Sequence, residues 1–174
     1  GLPVSGRQSS FSLNLSTPFT SMINKNKTYT PYVLFLLIIL SGCSYSGKKV
    51  YQTEKGAIRG YDPVAYFMEN KAVAGDSRFT STSLVNKQTV IWYFSSLENK
   101  QLFERQAEKY TPQYGGYCAY AMVYGLVVSS DPHAFSIING KLYLNYSLNV
   151  RDKWLKEPQQ YIKAADKKWQ QKGH

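Results

Sequence analysis

The chain predicts an α+β domain: a small antiparallel sheet with packed helices, followed by a β-hairpin and two C-terminal helices. Three observations carry this. Residues 78–85 and 89–94 are rich in β-branched and aromatic types and are separated by the polar Asn86-Lys87-Gln88, the pattern of two antiparallel strands. Asn139-Gly140 lies between Phe135-Ser136-Ile137-Ile138 and the run 141–146, where it supplies the positive φ angles of a type I′ hairpin turn. In 147–156 and 158–170 the apolar residues return with helical period. A length of 174 residues allows one core, and 43% hydrophobic residues are enough to fill it. The 15 tyrosines against 8 phenylalanines favour aromatic packing with wet or hydrogen-bonded tips.

Ahead of the domain, residues 1–21 are rich in Ser, Thr and Gly without periodicity, and are expected to be a mis-translated leader upstream of a start at Met22. Residues 22–42 then have the profile of a signal peptide: a short basic segment with Lys25 and Lys27, and eight uninterrupted apolar residues from Val33 to Leu40. That run falls far short of the roughly 20 residues a spanning helix needs. Leu40-Ser41-Gly42-Cys43 resembles the lipobox of bacterial lipoproteins, which implies that Cys43 is acylated and becomes the new N-terminus. The partner so implied is a membrane, reached through the N-terminal lipid, and the location is the bacterial cell envelope, with the domain on the extracytoplasmic (periplasmic) side. Residues 43–56 are then the lipidated cysteine and a tether, and 57–170 the folded domain.

Within the domain, Asp62 is placed to cap a short helix with Pro63 at its first position. Val64, Phe67 and Met68 would share its buried face. After the two strands, Ser95-Ser96-Leu97-Glu98 reads as a capping box with Ser95 as the cap, opening a helix from 96 to about 108 that buries Leu102, Phe103 and Ala107. Residues 119–128 are apolar, interrupted by Gly125, and fit either a strand or irregular buried chain. Asp131-Pro132-His133 is a turn signal. In the last two helices Val150 and Trp154, then Tyr161, Ile162, Ala165 and Trp169, are expected to face inward.

The formal charge of +10 raises the question of nucleic acid. Residues 1–43 hold Arg7, Lys25 and Lys27 and no acid, so 18 of the 21 basic side chains share the rest of the chain with all 11 acids. They are densest on the C-terminal helix, at the spacing of a solvated face. No zinc-finger, RNP or helix-turn-helix pattern accompanies them, and nucleic acid is excluded as a partner.

Tyr61-Asp62-Pro63-Val64, then Trp92-Tyr93-Phe94-Ser95-Ser96, then Phe103 and Lys109-Tyr110 resemble the YHS domain over residues 57–112. The continuation through Gln113-Tyr114-Gly115-Gly116-Tyr117-Cys118 and on to Leu144-Asn145-Tyr146 is similar to a bacterial group of YHS-domain proteins, some of which are selenoproteins. The resemblance implies a YHS-like domain with a C-terminal extension, and soft-metal or redox chemistry at the position of Cys118. This chain departs from the metal-linked members, whose two thiolate positions are here Ala65 and Ser95.

Cys118 is therefore the candidate site residue, with two readings open. As a reactive thiol or ligand for copper or another transition metal, it would be served by N–H groups from Gly115 and Gly116, by His133 as an imidazole and by Asp62 as a carboxylate. As a small hydrophobe flanked by tyrosines, it would do no chemistry. His133 has the alternative of a solvated loop residue, and Asp62 that of a helix cap. Three functions follow: a metal-binding envelope lipoprotein, a redox protein with Cys118 as its catalytic thiol, and a non-catalytic partner-binding module. An enclosed sulfur remote from His133 favours the third.

Overall fold

A computed structural model describes Gly1 and residues 50–172 of the chain. The expected leader, signal peptide and Cys43 lie outside the described residues, and the expected tether to residue 56 is folded from Val50 on, because Val50 is buried in the core and Gln52–Thr53 pair with Gly56–Ala57. Residues 50–172 belong to one compact unit, and the class is α+β, as predicted.

The elements run β1 (Gln52–Thr53), β2 (Gly56–Ala57), α1 (Ala65–Met68), β3 (Asp76–Val85), β4 (Gln88–Phe94), α2 (Leu97–Arg105), α3 (Ala107–Tyr110), α4 (Ala119–Met122), β5 (Asp131–Ile138), β6 (Lys141–Asn145), α5 (Leu148–Trp154) and α6 (Pro158–Gln171). The strands pair as three separate antiparallel hairpins, β1 with β2, β3 with β4 and β5 with β6. Two of these turn through consecutive left-handed residues, Asn86 and Lys87 at φ 49° and 67°, and Asn139 and Gly140 at 52° and 71°. Both predicted strand pairs are thus present, with turns whose twist matches that of the strands.

Strand β6 divides the interior. Its side chains alternate between faces, and the four from Leu142 to Asn145 are all buried. Leu142 and Leu144 join Val64, Tyr66, Val90, Trp92, Phe94 and Phe103 in one cluster. Tyr143 faces the other way, into Tyr114, Met122, Trp154 and Ala165. The first cluster is knit by aromatic contacts, with the Phe103 ring centroid 5.0 Å from that of Trp92 and 5.2 Å from that of Phe94. Such pairs add about 1 kcal/mol each beyond burial.

Several local expectations shift. Ser96, one residue later than expected, caps α2 by accepting from Asn99 N–H, while the Ser95 hydroxyl is engaged elsewhere. The expected helix to 108 breaks at Gln106, where φ is −142°, and Ala107 is exposed. In α1, Tyr66 is buried and Met68 is 62% exposed, because the helix is a single turn whose inner face is set by Ala65 and Tyr66. The ambiguous segment after Cys118 is a short helix followed by a turn.

Three tyrosines of the core stay protonated beyond the ordinary range. Burial pushes the Tyr66 phenol up; burial and then the hydrogen bond to Asp166 do the same for Tyr114, whose Oη donates to Oδ1 at 2.8 Å; burial raises Tyr143. In the unfolded chain these phenols ionise near about 10. The native state then holds more protons than the unfolded state at higher pH, so this stability is complete below that value and falls as pH rises through and above it. Tyrosinate absorbance followed together with circular dichroism should show these phenols ionising only as the fold is lost. A full tyrosine titration with the fold intact would contradict the assignment.

Candidate functional site

Cys118 sits at the N-cap of α4 with 1% of its surface exposed. Its Sγ accepts from Ala121 N–H at 3.5 Å and donates to Asn145 Oδ1 at 3.8 Å. Asn145 Oδ1 also accepts from Tyr120 N–H at 3.1 Å, which fixes the amide orientation. The expected donors to the sulfur, the N–H groups of Gly115 and Gly116, are not the ones that reach it. Those glycines belong to a left-handed turn with Tyr114, at φ 53°, 60° and 82°, and their carbonyls accept from Tyr51 N–H and Ser130 Oγ. The turn serves to fasten Tyr51 to the domain.

Asp62 is fully buried and has no free acceptor to offer a ligand. Oδ1 accepts from Val64 N–H at 2.8 Å and Ala65 N–H at 3.3 Å, so it closes the turn ahead of α1, which opens at Ala65 with Val64 in the cap position and not at Pro63 as expected. Oδ2 accepts from Ser95 N–H at 2.8 Å, Ser95 Oγ at 2.7 Å and Asn99 Nδ2 at 2.7 Å. One carboxylate thereby joins α1 to the junction of β4 and α2. The position expected to carry a thiolate in metal-linked relatives, Ser95, is part of this knot.

His133 lies elsewhere. The ladder between β5 and β6 pairs Asp131 with Asn145 and then Phe135 with Leu144, so 132–134 bulge out of register. Pro132 has no N–H to give the ladder, and bulges are where such residues are tolerated. Asp131 Oδ1 accepts from His133 N–H at 2.9 Å, and the buried Tyr66 Oη donates to Pro132 O at 3.0 Å, which pins the bulge from both sides. The exposed His133 ring meets Tyr61 with Nε2 3.1 Å from Oη and the rings edge to face at 5.3 Å.

The three residues offered as metal ligands are therefore held in separate settings: a capped and enclosed sulfur, a saturated carboxylate, and an imidazole on a phenol. Among the described residues no group of three or more His, Cys, Asp or Glu side chains gathers to hold a metal. Cys118 is the free cysteine of the described part. The donor set does not fit copper or another transition metal, and no chemistry is derived through one.

The Tyr61–His133 couple faces a cavity of about 690 Å³ that is also lined by Lys55, Arg59, Glu54 and Asp131. This lies within the range of small-ligand sites. Its rim carries the most unusual backbone of the domain. Ile58, Arg59 and Gly60 follow one another at φ 49°, 58° and 82°. A β-branched residue at positive φ is an outlier that costs on the order of 1–3 kcal/mol and persists only where surrounding structure enforces it. Here the enforcement is visible: Ile58 is buried in the first cluster, and Gly60 O accepts from Gly75 N–H at 2.8 Å. Strain of this kind concentrates at functional sites. Sequence reasoning reached Tyr61 as part of a motif and His133 as a lone imidazole, but gave Lys55 and Arg59 no role. Nothing local marks them, since the turn that presents Arg59 is imposed by contacts with residues far along the chain.

No protein-family model matches the chain, and no curated protein or solved structure matches it either. Among the described residues no helix is long and apolar enough to cross a membrane.

Proposed function

We propose that this is a non-catalytic binding module, carried at the bacterial cell envelope by a lipid on Cys43, whose YHS-like domain takes its ligand in the Tyr61–His133 cavity. One observation carries the binding reading: the open cavity gathers a phenol–imidazole pair and four charged side chains beside a strained turn, while the Cys118 sulfur is enclosed and hydrogen-bonded to Asn145. A catalytic thiol needs access and an activating partner, and Cys118 has neither a second cysteine among the described residues nor an open face. The lipobox-like Leu40-Ser41-Gly42-Cys43 supports the anchor.

Two measurements test the reading on the full chain carrying Cys43→Ser. A thiol reagent should modify Cys118 only when denaturant unfolds the protein, and Cu(I) should show no stoichiometric binding that Cys118→Ala removes. Rapid modification of the native thiol, or such copper binding, would move the site to the sulfur. NMR screening with mixtures of small polar molecules should shift the resonances of Tyr61 and His133 saturably. A cavity that responds to none of them would overturn the assignment of the ligand site.

A further inference from the structure

The charges that line the Tyr61–His133 cavity specify more than a polar surface. Two are basic, Lys55 and Arg59, and two acidic, Glu54 and Asp131. Opposite charges in one cavity usually meet, but here they do not. The ion pairs among the described residues are Asp76–Arg78, Lys100–Glu104 and Arg151–Asp152, and none involves these four.

The backbone explains why they stay apart. Gly60 packs directly on Lys55: a Cβ added to Gly60 would lie 2.8 Å from Lys55 O and 3.5 Å from Lys55 Cβ. Lys55 and Arg59 therefore come from one wall, the β1–β2 turn and the left-handed turn after it. Asp131 comes from a different element, where the bulge of β5 fixes it against His133 N–H. Glu54 stands beside Lys55 in the β1–β2 turn. A simple anion in this space would meet two carboxylates, and a simple cation two basic groups. A molecule carrying both charges a few bonds apart satisfies both sets at once, with the ring faces of Tyr61 and His133 left for its apolar part.

We propose that the cavity binds a small zwitterion bearing an ammonium and a carboxylate, an amino acid or a short peptide with free termini. The carboxylate is taken by Arg59 and Lys55, and the ammonium by Asp131. This rests on the cavity being the ligand site.

The test uses the full chain with Cys43→Ser and three probes: alanyl-alanine with both termini free, its N-acetyl form and its C-terminal amide. Calorimetry or NMR titration should give saturable binding of the free dipeptide and up to about fivefold weaker binding of each blocked form, the loss expected for one exposed charge contact. Arg59→Gln should remove the preference for the free carboxylate and keep that for the free ammonium, and Asp131→Asn should do the reverse. Equal affinity for the three probes, or variants that weaken all three alike, would overturn the proposal. If other small molecules shift Tyr61 and His133 but the dipeptide does not, the zwitterion is wrong and the cavity reading stands. If nothing shifts them, both fall.

Discussion

Asp62→Ala is expected to destabilise the domain by about 4 kcal/mol or more, a large part of the stability of a domain this size. The substitution strands Val64 and Ala65 N–H and Ser95 N–H and Oγ, and leaves Asn99 Nδ2 only its 3.2 Å bond to Ser95 Oγ; all five donors end on the one carboxylate in the native fold. A buried donor left without a partner costs about 1–3 kcal/mol, and water entering the gap recovers only part of it. Asp62→Asn should fall between, at about 2 kcal/mol. Its remaining oxygen can still close the turn ahead of α1, but its NH₂ group would oppose Ser95 N–H and Asn99 Nδ2. Denaturant unfolding of the three proteins checks the order. An alanine variant within about 1 kcal/mol of the parent would show that the knot is replaceable.

Gly56→Ala is expected to cost about 3 kcal/mol or more. Gly56 has φ +86°, and a Cβ there would lie 2.6 Å from Ile91 O and 2.6 Å from Tyr93 Cε2. The first contact is with the backbone of β4, which cannot retreat without loosening its pairing with β3. Left-handed strain of about 1–2 kcal/mol adds to overpacking of similar size. Gly140→Ala separates the two effects, since Gly140 has φ +71° but nothing within 4 Å of the added carbon. That variant should lose only about 1 kcal/mol. Similar losses for both in denaturant unfolding would mean that conformation alone, without the clash, sets the cost.

What the sequence made legible was local chemistry. Asn139-Gly140 named its hairpin because a type I′ turn depends on those two residues alone. The last two helices were legible in the period of their apolar residues, and in the structure Ser147 accepts from Val150 N–H and Pro158 opens its helix. The choice between Ser95 and Ser96 as cap was not local. Either hydroxyl suits the role, and Asp62, 33 residues earlier, decides it by taking Ser95. The expected small sheet and following hairpin became three separate hairpins because nothing in strand composition says which hairpins join edge to edge. The candidate site was legible only in pieces: His133 is a loop imidazole until Tyr61, 72 residues away, meets it. The enclosure of Cys118 depends on Asn145 in the same way, across 27 residues.

Val50 and Tyr51 bear on how the domain takes load. Val50 N–H donates to Gln88 Oε1 and Val50 O accepts from Gln88 Nε2, at 3.2 and 2.9 Å, and Tyr51 N–H donates to Gly115 O at 2.8 Å. A pull on the chain ahead of Val50 is thus shared between the start of β4 and the left-handed turn at Gly115, two places far apart in sequence. Three such bonds must break before the tension reaches β1, the Ile58–Gly60 turn and the charges beyond it. The domain is thus clamped at Val50 and Tyr51, ahead of the strand and the turn that line the cavity.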